Sequence, residues 1–487
     1  MNAYSINLHA QFLYSIDLRS AFQVELQPRT KSLGVFTLTM ISISAIIALR
    51  NLPTLAKNGM SVVFILGLAA ILFFIPVALT CAELASGWPK SGGLYTWVRE
   101  AFGEKSGALA IWLEWIESVV WLPTVLSFIA SSIAYVISPQ LADNRYFMLV
   151  VMLTVLWSGT LLNFLSMKTS GWISTFGILA GSIIPGITIV GLGALWLASG
   201  QPSHIEFTVQ ALLPDFSSLR SLAYFTAVAL GFAGIEVAAF YVQEVKNPQR
   251  TFPTATFISA AVIIAIYVLG ALSIAVVIPK GELNLSAGMM QAMREFFSFL
   301  NIPWATPFFA LFSVIGGLAL LNTWLIGPSK GLWASAMNND LPKFTQRTNR
   351  FGSPVAILSM QALIGTCLVS MNLFIPTINH FYWIFQTQAA QLILLMYLMI
   401  FFSVIKLRYS QPDVPRQFTI PGGKFGLWLV AGSGILFCIV AFLLGFLPPD
   451  EYQFIDAKTY ACMLGGGIIL FCAPPFLWQW WQHLKRI

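Results

Sequence analysis

The chain has 487 residues, of which 57% are hydrophobic and only 9% charged, with a mean hydropathy of +0.78. A soluble domain carries roughly 25% charged residues, so the composition excludes a soluble fold and leaves the bilayer as solvent. The net charge of +7 does not mark a nucleic-acid binder, because the basic residues form no patch and sit at alternate helix ends.

Residues 1–33 read as a cytoplasmic tail. Asp17, Arg19 and Glu25 interrupt any signal-peptide core, and no small-residue cleavage site follows. Twelve apolar spans are expected over 34–58, 61–82, 106–138, 145–165, 172–198, 221–243, 253–278, 304–333, 354–371, 381–403, 426–446 and 459–481. The run from Val62 to Leu79 alone gives eighteen uncharged residues, enough to approach a hydrocarbon core of ~30 Å. The fold class expected is therefore an all-α membrane protein. It divides into 34–198 (spans 1–5), 221–403 (spans 6–10), 426–481 (spans 11 and 12) and a short end, 482–487. With the N-terminus inside, 19 Lys and Arg residues fall inside, 6 outside, and Arg50 within the membrane. That bias predicts an inner-membrane protein with both termini cytoplasmic. In the inside segment 83–105, Pro89 and Gly92-Gly93 break the chain, and Leu94 to Phe102 reads as a short interfacial helix.

Two spans look interrupted. The first holds Arg50-Asn51-Leu52-Pro53, and the sixth holds Gly231-Phe232-Ala233-Gly234 followed by Glu236. If spans 1–5 and 6–10 are repeats, the breaks occupy corresponding positions, which points to a transporter binding site at the midplane. Glycine lets the helix unwind there. Freed N–H groups and a half-helix N-terminus suit a carboxylate, and freed carbonyls suit an ammonium, so the breaks make a socket for an amino acid.

The ionisable residues near the breaks carry the candidate chemistry. A carboxylate in mid-membrane is costly, so Glu236 is read as a proton-coupling or gating group, against a structural carboxylate capped by backbone donors. Arg50 either snorkels outward, holds a substrate carboxylate, or pairs with an acid of the third span. Glu114 and Glu117 are spaced i, i+3 there, and Glu117, about 16 Å deep, is the expected partner. Phe232 either gates and stacks on substrate or packs between helices. Gln388 and Gln391 either face the pathway or bond across helices. No cofactor and no metal are expected. The histidines at 9, 204, 380 and 483 lack ligand spacing, and the cysteines at 81, 367, 438, 462 and 472 read as reduced small hydrophobes. No nucleophile–base constellation and no G-x-x-x-x-G-K-[ST] loop is present, so neither an enzyme nor ATP-driven transport is expected. The partners implied are amino acid substrates and the lipid bilayer, with homo-oligomerisation left open.

The stretch GFAGIEVAAFYVQEVKNPQRTFP resembles the signature of the amino acid–polyamine–organocation superfamily, a G-x-x-G-x-E break followed by E-x-x-N-P-x-R. Residues 83–103, with E-L-A-x-x-W-P-x-x-G-G and R-E-A-F-G, resemble it too. More narrowly, the chain is similar to the glutamate/GABA antiporter family. That likeness rests on NLPTLAKNG (51–59), FFIPVAL (73–79), VIPKGELNLSAGMMQ (277–291), IGPSKGL (326–332), FTIPGGK (418–424) and GFLPPD (445–450). The resemblance implies a LeuT-like five-plus-five inverted repeat with helices 1 and 6 broken and two further helices. It implies alternating access and exchange of one amino acid for another or for its decarboxylated product. It places Ala48, Arg50, Asn51, Gly231, Phe232, Ala233, Gly234 and Tyr397 at the substrate, with Glu236 and Glu117 in coupling or gating. The chain also departs from the pattern. The superfamily's Gly-Ser-Gly of the first span is Ile46-Ile47-Ala48, a glutamate of the eighth span falls on Leu320, and a tyrosine of the tenth falls on Ile393. The enterobacterial antiporter's C-terminal plug is not expected here. These departures keep a proton-coupled symporter or an exchanger of a different amino acid as the alternative.

Overall fold

The computed structural model describes residues 33–89, 93–165, 181, 183–234, 236, 245–449 and 455–484. Apart from one isolated bridge, Leu33 to Val245, the described residues are helical or in loops. This is what lipid demands, since a helix satisfies every backbone polar group within itself. In chain order the helices are α1 (Val35–Ile46), α2 (Leu52–Ala56), α3 (Gly59–Gly87), α4 (Leu94–Phe102), α5 (Glu104–Ile137), α6 (Arg145–Leu165), α7 (Ile184–Ala198) and α8 (Tyr224–Gly231). They continue as α9 (Pro248–Val277), α10 (Gly288–Phe299), α11 (Ala305–Met337), α12 (Val355–Ser370), α13 (Ile378–Ser410), α14 (Gly423–Leu444) and α15 (Ala457–Leu484).

Among the described residues, nine helices are long and apolar enough to cross a membrane: α3, α5, α6, α9 and α11 to α15. The first span is divided; the sixth is described from α8 to Gly234 and at Glu236, and the fifth at 181, 183 and α7. The interfacial helix expected after the second span is α4, framed by Gly93 (φ 45°) and Gly103 (φ 90°). Its Tyr95 hydroxyl donates to Asp340 Oδ2 at 2.7 Å, beyond the end of α11. Burial, then the bond to Asp340, pushes that hydroxyl up to about 12, so it remains a donor at physiological pH.

Three expectations need correction. The first break lies at Ile47-Ala48, not at Arg50 to Pro53, because Pro53 sits in the first turn of α2, where its missing N–H has no helical partner to lose. The seventh span begins at Pro248 rather than Pro253: Pro248 takes the first helical position, and Pro253 lies inside the helix, where it leaves Gln249 O without its helical donor. The segment 279–303 is not a plain loop. It folds into α10, whose Met289, Met290, Met293, Phe296 and Phe297 are buried.

α5 is the axis of the bundle. It packs on α4, α6, α11, α12, α13 and α15, and 83% of an 18-residue apolar stretch of it is buried, against 11% for α15. One crossing is fixed by size alone: a Cβ on Gly316 of α11 would fall on the backbone of Gly181, so only glycine permits that approach. Segments assigned to one side by charge meet one another. Lys57 Nζ donates to Lys280 O at 2.5 Å. At the other face, Glu83 accepts from both Nε (2.5 Å) and Nη2 of Arg408 and from the Ile420 N–H at 2.8 Å, fastening α3 to α13 and its following loop.

Candidate substrate site between the broken helices

α1 ends at Ile46. Ile47 (φ −65°, ψ 110°) and Ala48 (φ −127°, ψ 107°) are extended, and Leu49–Asn51 turns the chain into α2. The β-branched pair Ile46-Ile47 tolerates extension well. The released backbone is caught from α9. Tyr267 Oη donates to Ile46 O at 2.8 Å and accepts from Ala48 N–H at 3.2 Å and from Asn51 Nδ2 at 3.3 Å.

The second break falls where expected. α8 ends at Gly231, Phe232 (φ −98°, ψ 1°) turns, and Gly234 adopts φ 106°, which only glycine takes without strain. The Gly234 N–H reaches Glu236 Oε2 at 3.2 Å and Tyr397 Oη at 3.3 Å, and Tyr397 Oη donates to Glu236 Oε2 at 2.7 Å. Glu236, 3% exposed, thus closes a small ring with the break and α13. Gly231 O lies 3.2 Å from Tyr267 Oη, so one phenol touches both breaks. Sequence reasoning missed Tyr267. The available signal was a tyrosine in the middle of an apolar span, whose hydroxyl must find a partner when buried.

A cavity of about 20 Å³ lies beside the breaks. It is lined by Ala48, Arg50 and Asn51 from the first, Leu230 and Ala233 from the second, Glu117 and Trp121 from α5, and Leu320 and Trp324 from α11. That space holds about one water, so the site is closed to an amino acid in this conformation. The structure gathers Ala48, Arg50, Asn51, Ala233 and Glu117 around it. Gly231, Gly234, Glu236 and Tyr397 stand behind it and shape the break. Phe232 is fully buried, with its ring 5.1 Å from Phe74 and 6.4 Å from Tyr267, and is not part of the lining. Gln391 bonds across to Phe442 O at 3.1 Å.

Arg50 and Glu117 do not pair. Arg50, 3% exposed, lays its guanidinium 4.6 Å over the Trp121 ring and donates from Nη1 to Thr124 Oγ1 at 3.3 Å. Its carbonyl accepts from Tyr382 Oη at 3.1 Å. Trp121 and Thr124 follow Glu117 at i+4 and i+7 on the same face of α5, and they take the guanidinium first. Arg50 Nε, Asn51 Oδ1 and Glu117 Oε2 are buried and have no partner. No cluster of three or more His, Cys, Asp or Glu suited to a metal occurs among the described residues.

Two interrupted helices caught on side chains of their neighbours, around a small closed cavity with a few buried polar groups in an apolar bundle, describe a membrane transporter. The profile of the amino acid permease family matches residues 33–469, and the chain belongs to that family. It is 45% identical over 447 residues to an uncharacterized transporter of Legionella pneumophila, covering 92% of this chain and 96% of that protein. It is 30% identical over 453 residues to the glutamate/gamma-aminobutyrate antiporter of Lactococcus lactis, covering 92% and 90%. A probable agmatine/putrescine antiporter of Lactococcus lactis shares 26% over 383 residues, covering 78% of this chain and 80% of the relative.

Proposed function

We propose that this permease is a secondary active antiporter of amino acids, of glutamate/GABA type, working by alternating access. The observation that carries the reading is the pair of breaks meeting at Tyr267 beside a small closed cavity lined by one guanidinium and one carboxyl group. An amino acid carries the complementary charges, and midplane breaks are where transporters bind such substrates. In this reading twelve helices form inverted repeats over 34–198 and 221–403, followed by 426–481, in a bacterial inner membrane with both termini cytoplasmic. Glu236 is the coupling group, since its protonation would weaken the charge-assisted bonds from Tyr397 and the Gly234 N–H. The likeness to the lactococcal glutamate/gamma-aminobutyrate antiporter supports the exchange class. A second reading, proton-coupled uptake of another amino acid, is favoured by Leu320, which places an apolar side chain in the cavity where the resemblance expects a glutamate.

Counterflow in proteoliposomes separates the two. Uptake of labelled glutamate or GABA stimulated by internal amino acid supports exchange. Uptake driven by an imposed proton gradient into empty vesicles, with no trans-stimulation by any amino acid, overturns it.

A further inference from the structure

The cavity is incomplete in a specific way. Three polar atoms on residues that line it have no hydrogen-bond partner: Arg50 Nε, Asn51 Oδ1 and Glu117 Oε2. Their side chains belong to residues only 2–4% exposed. Buried polar groups are nearly always satisfied, and an orphaned one costs free energy comparable to a lost hydrogen bond, so three orphans on residues lining one cavity define the groups a ligand must offer them. The orphans are one cationic donor and two acceptors, one of them a carboxyl oxygen. The backbone groups freed by the breaks are not comparably free. Ala48 N–H is held by Tyr267, and Gly234 N–H by Glu236 and Tyr397.

Resting on the reading above, we propose that Glu117 Oε2 and Asn51 Oδ1 form the ammonium subsite of this cavity and Arg50 Nε its carboxylate subsite, which makes the preferred substrate a net-neutral zwitterion. A metal ion does not fit, since one carboxylate and one amide oxygen are too few hard ligands and the guanidinium shares the space. A diamine does not fit either: its second ammonium would face Arg50, and Arg50 Nε would stay unmet. The orientation of Asn51 agrees with the assignment. The Tyr267 proton is spent on Ile46 O, so Tyr267 can only accept from Asn51, which turns Oδ1 towards the cavity. Trp121, stacked on Arg50, fixes the cation on its side and leaves Glu117 for the other end of the ligand.

The test is binding to purified protein in detergent, which does not require transport. The probes are GABA, butyrate (which lacks the ammonium) and butylamine (which lacks the carboxylate), each competed against labelled GABA. The wild-type protein should prefer GABA to either analogue by about tenfold to a hundredfold, the worth of a charge-assisted hydrogen bond. In Glu117→Gln the preference for GABA over butyrate should collapse while the preference over butylamine persists, and Arg50→Gln should show the mirror image. Asn51→Leu should weaken the ammonium preference in the same sense by a smaller factor, which keeps the test decisive if either charge variant fails to fold. An unchanged ammonium preference in Glu117→Gln, or equal losses for all three probes, overturns the subsite assignment. If the wild-type protein binds no amino acid of a full panel, the amino acid reading itself fails, which is a different outcome from amino acid binding that ignores Glu117.

Discussion

Tyr267→Phe removes one oxygen from the point where both broken helices are held. The change conserves shape, so it opens no cavity, and the ring contact with Phe232 survives. What is lost is the donor to Ile46 O and the acceptor for Ala48 N–H and Asn51 Nδ2, at 2.8, 3.2 and 3.3 Å. Hydrogen bonds between helices in lipid average only about 0.6 kcal/mol each, because the separated helices also find partners. Three such bonds give a loss of about 2 kcal/mol, well below what the same groups would forfeit if nothing replaced them. About 2 kcal/mol is roughly a thirtyfold change in an equilibrium constant. The expected outcome is a lower unfolding midpoint in a detergent-to-SDS titration, together with slower exchange, since the closed arrangement of the breaks is weakened. A midpoint within a few tenths of a kcal/mol of wild type would refute the reasoning. The Tyr267 hydroxyl would then be a bystander, and the breaks would be held by packing alone.

Glu236→Gln keeps an oxygen for the Gly234 N–H and the Tyr397 hydroxyl and deletes only the charge. We expect a folded protein with reduced exchange or a shifted pH profile; wild-type rates in vesicles at every pH would make Glu236 purely structural. Glu83→Gln sets an amide N–H against the Arg408 guanidinium. The loss should approach, but stay below, the roughly 3–5 kcal/mol of breaking a fully buried pair, because Arg408 is 15% exposed. A detergent melting curve checks this, and an unchanged curve would show that the fastening carries no stability. A reporter active only after export, fused after residue 487, should be silent; activity would invert the assigned topology.

The second break was legible in the sequence. Gly231 to Gly234 announced the second break because glycine is the chemical requirement of a turn at φ 106°. The first break was legible as an event and misplaced by a few residues. Its position is set by Tyr267, more than two hundred residues away, and Ile46-Ile47-Ala48 carries no local breaker. The Arg50–Glu117 pairing failed for a related reason. Counting residues along a helix gives depth, but not which neighbours a side chain meets at that depth, and Arg50 meets Trp121 and Thr124. The helix α10 was hidden because its apolar stripe is too short to read as a span and its surroundings read as a loop.

α5 has almost no contact with lipid along its central stretch. Most membrane helices must satisfy two masters, since any polar substitution that does not face the interior faces hydrocarbon. α5 is released from the second. Ser118, Thr124, Ser127, Ser131 and Ser132 are all buried along it, and each hydroxyl returns to a carbonyl of its own helix or to a neighbouring side chain. A position such as 117 can therefore exchange one polar side chain for another and still be wrapped in protein on every side. Selectivity can drift at this wall of the cavity while the lipid-facing shell, and with it the insertion of the chain, stays as it was.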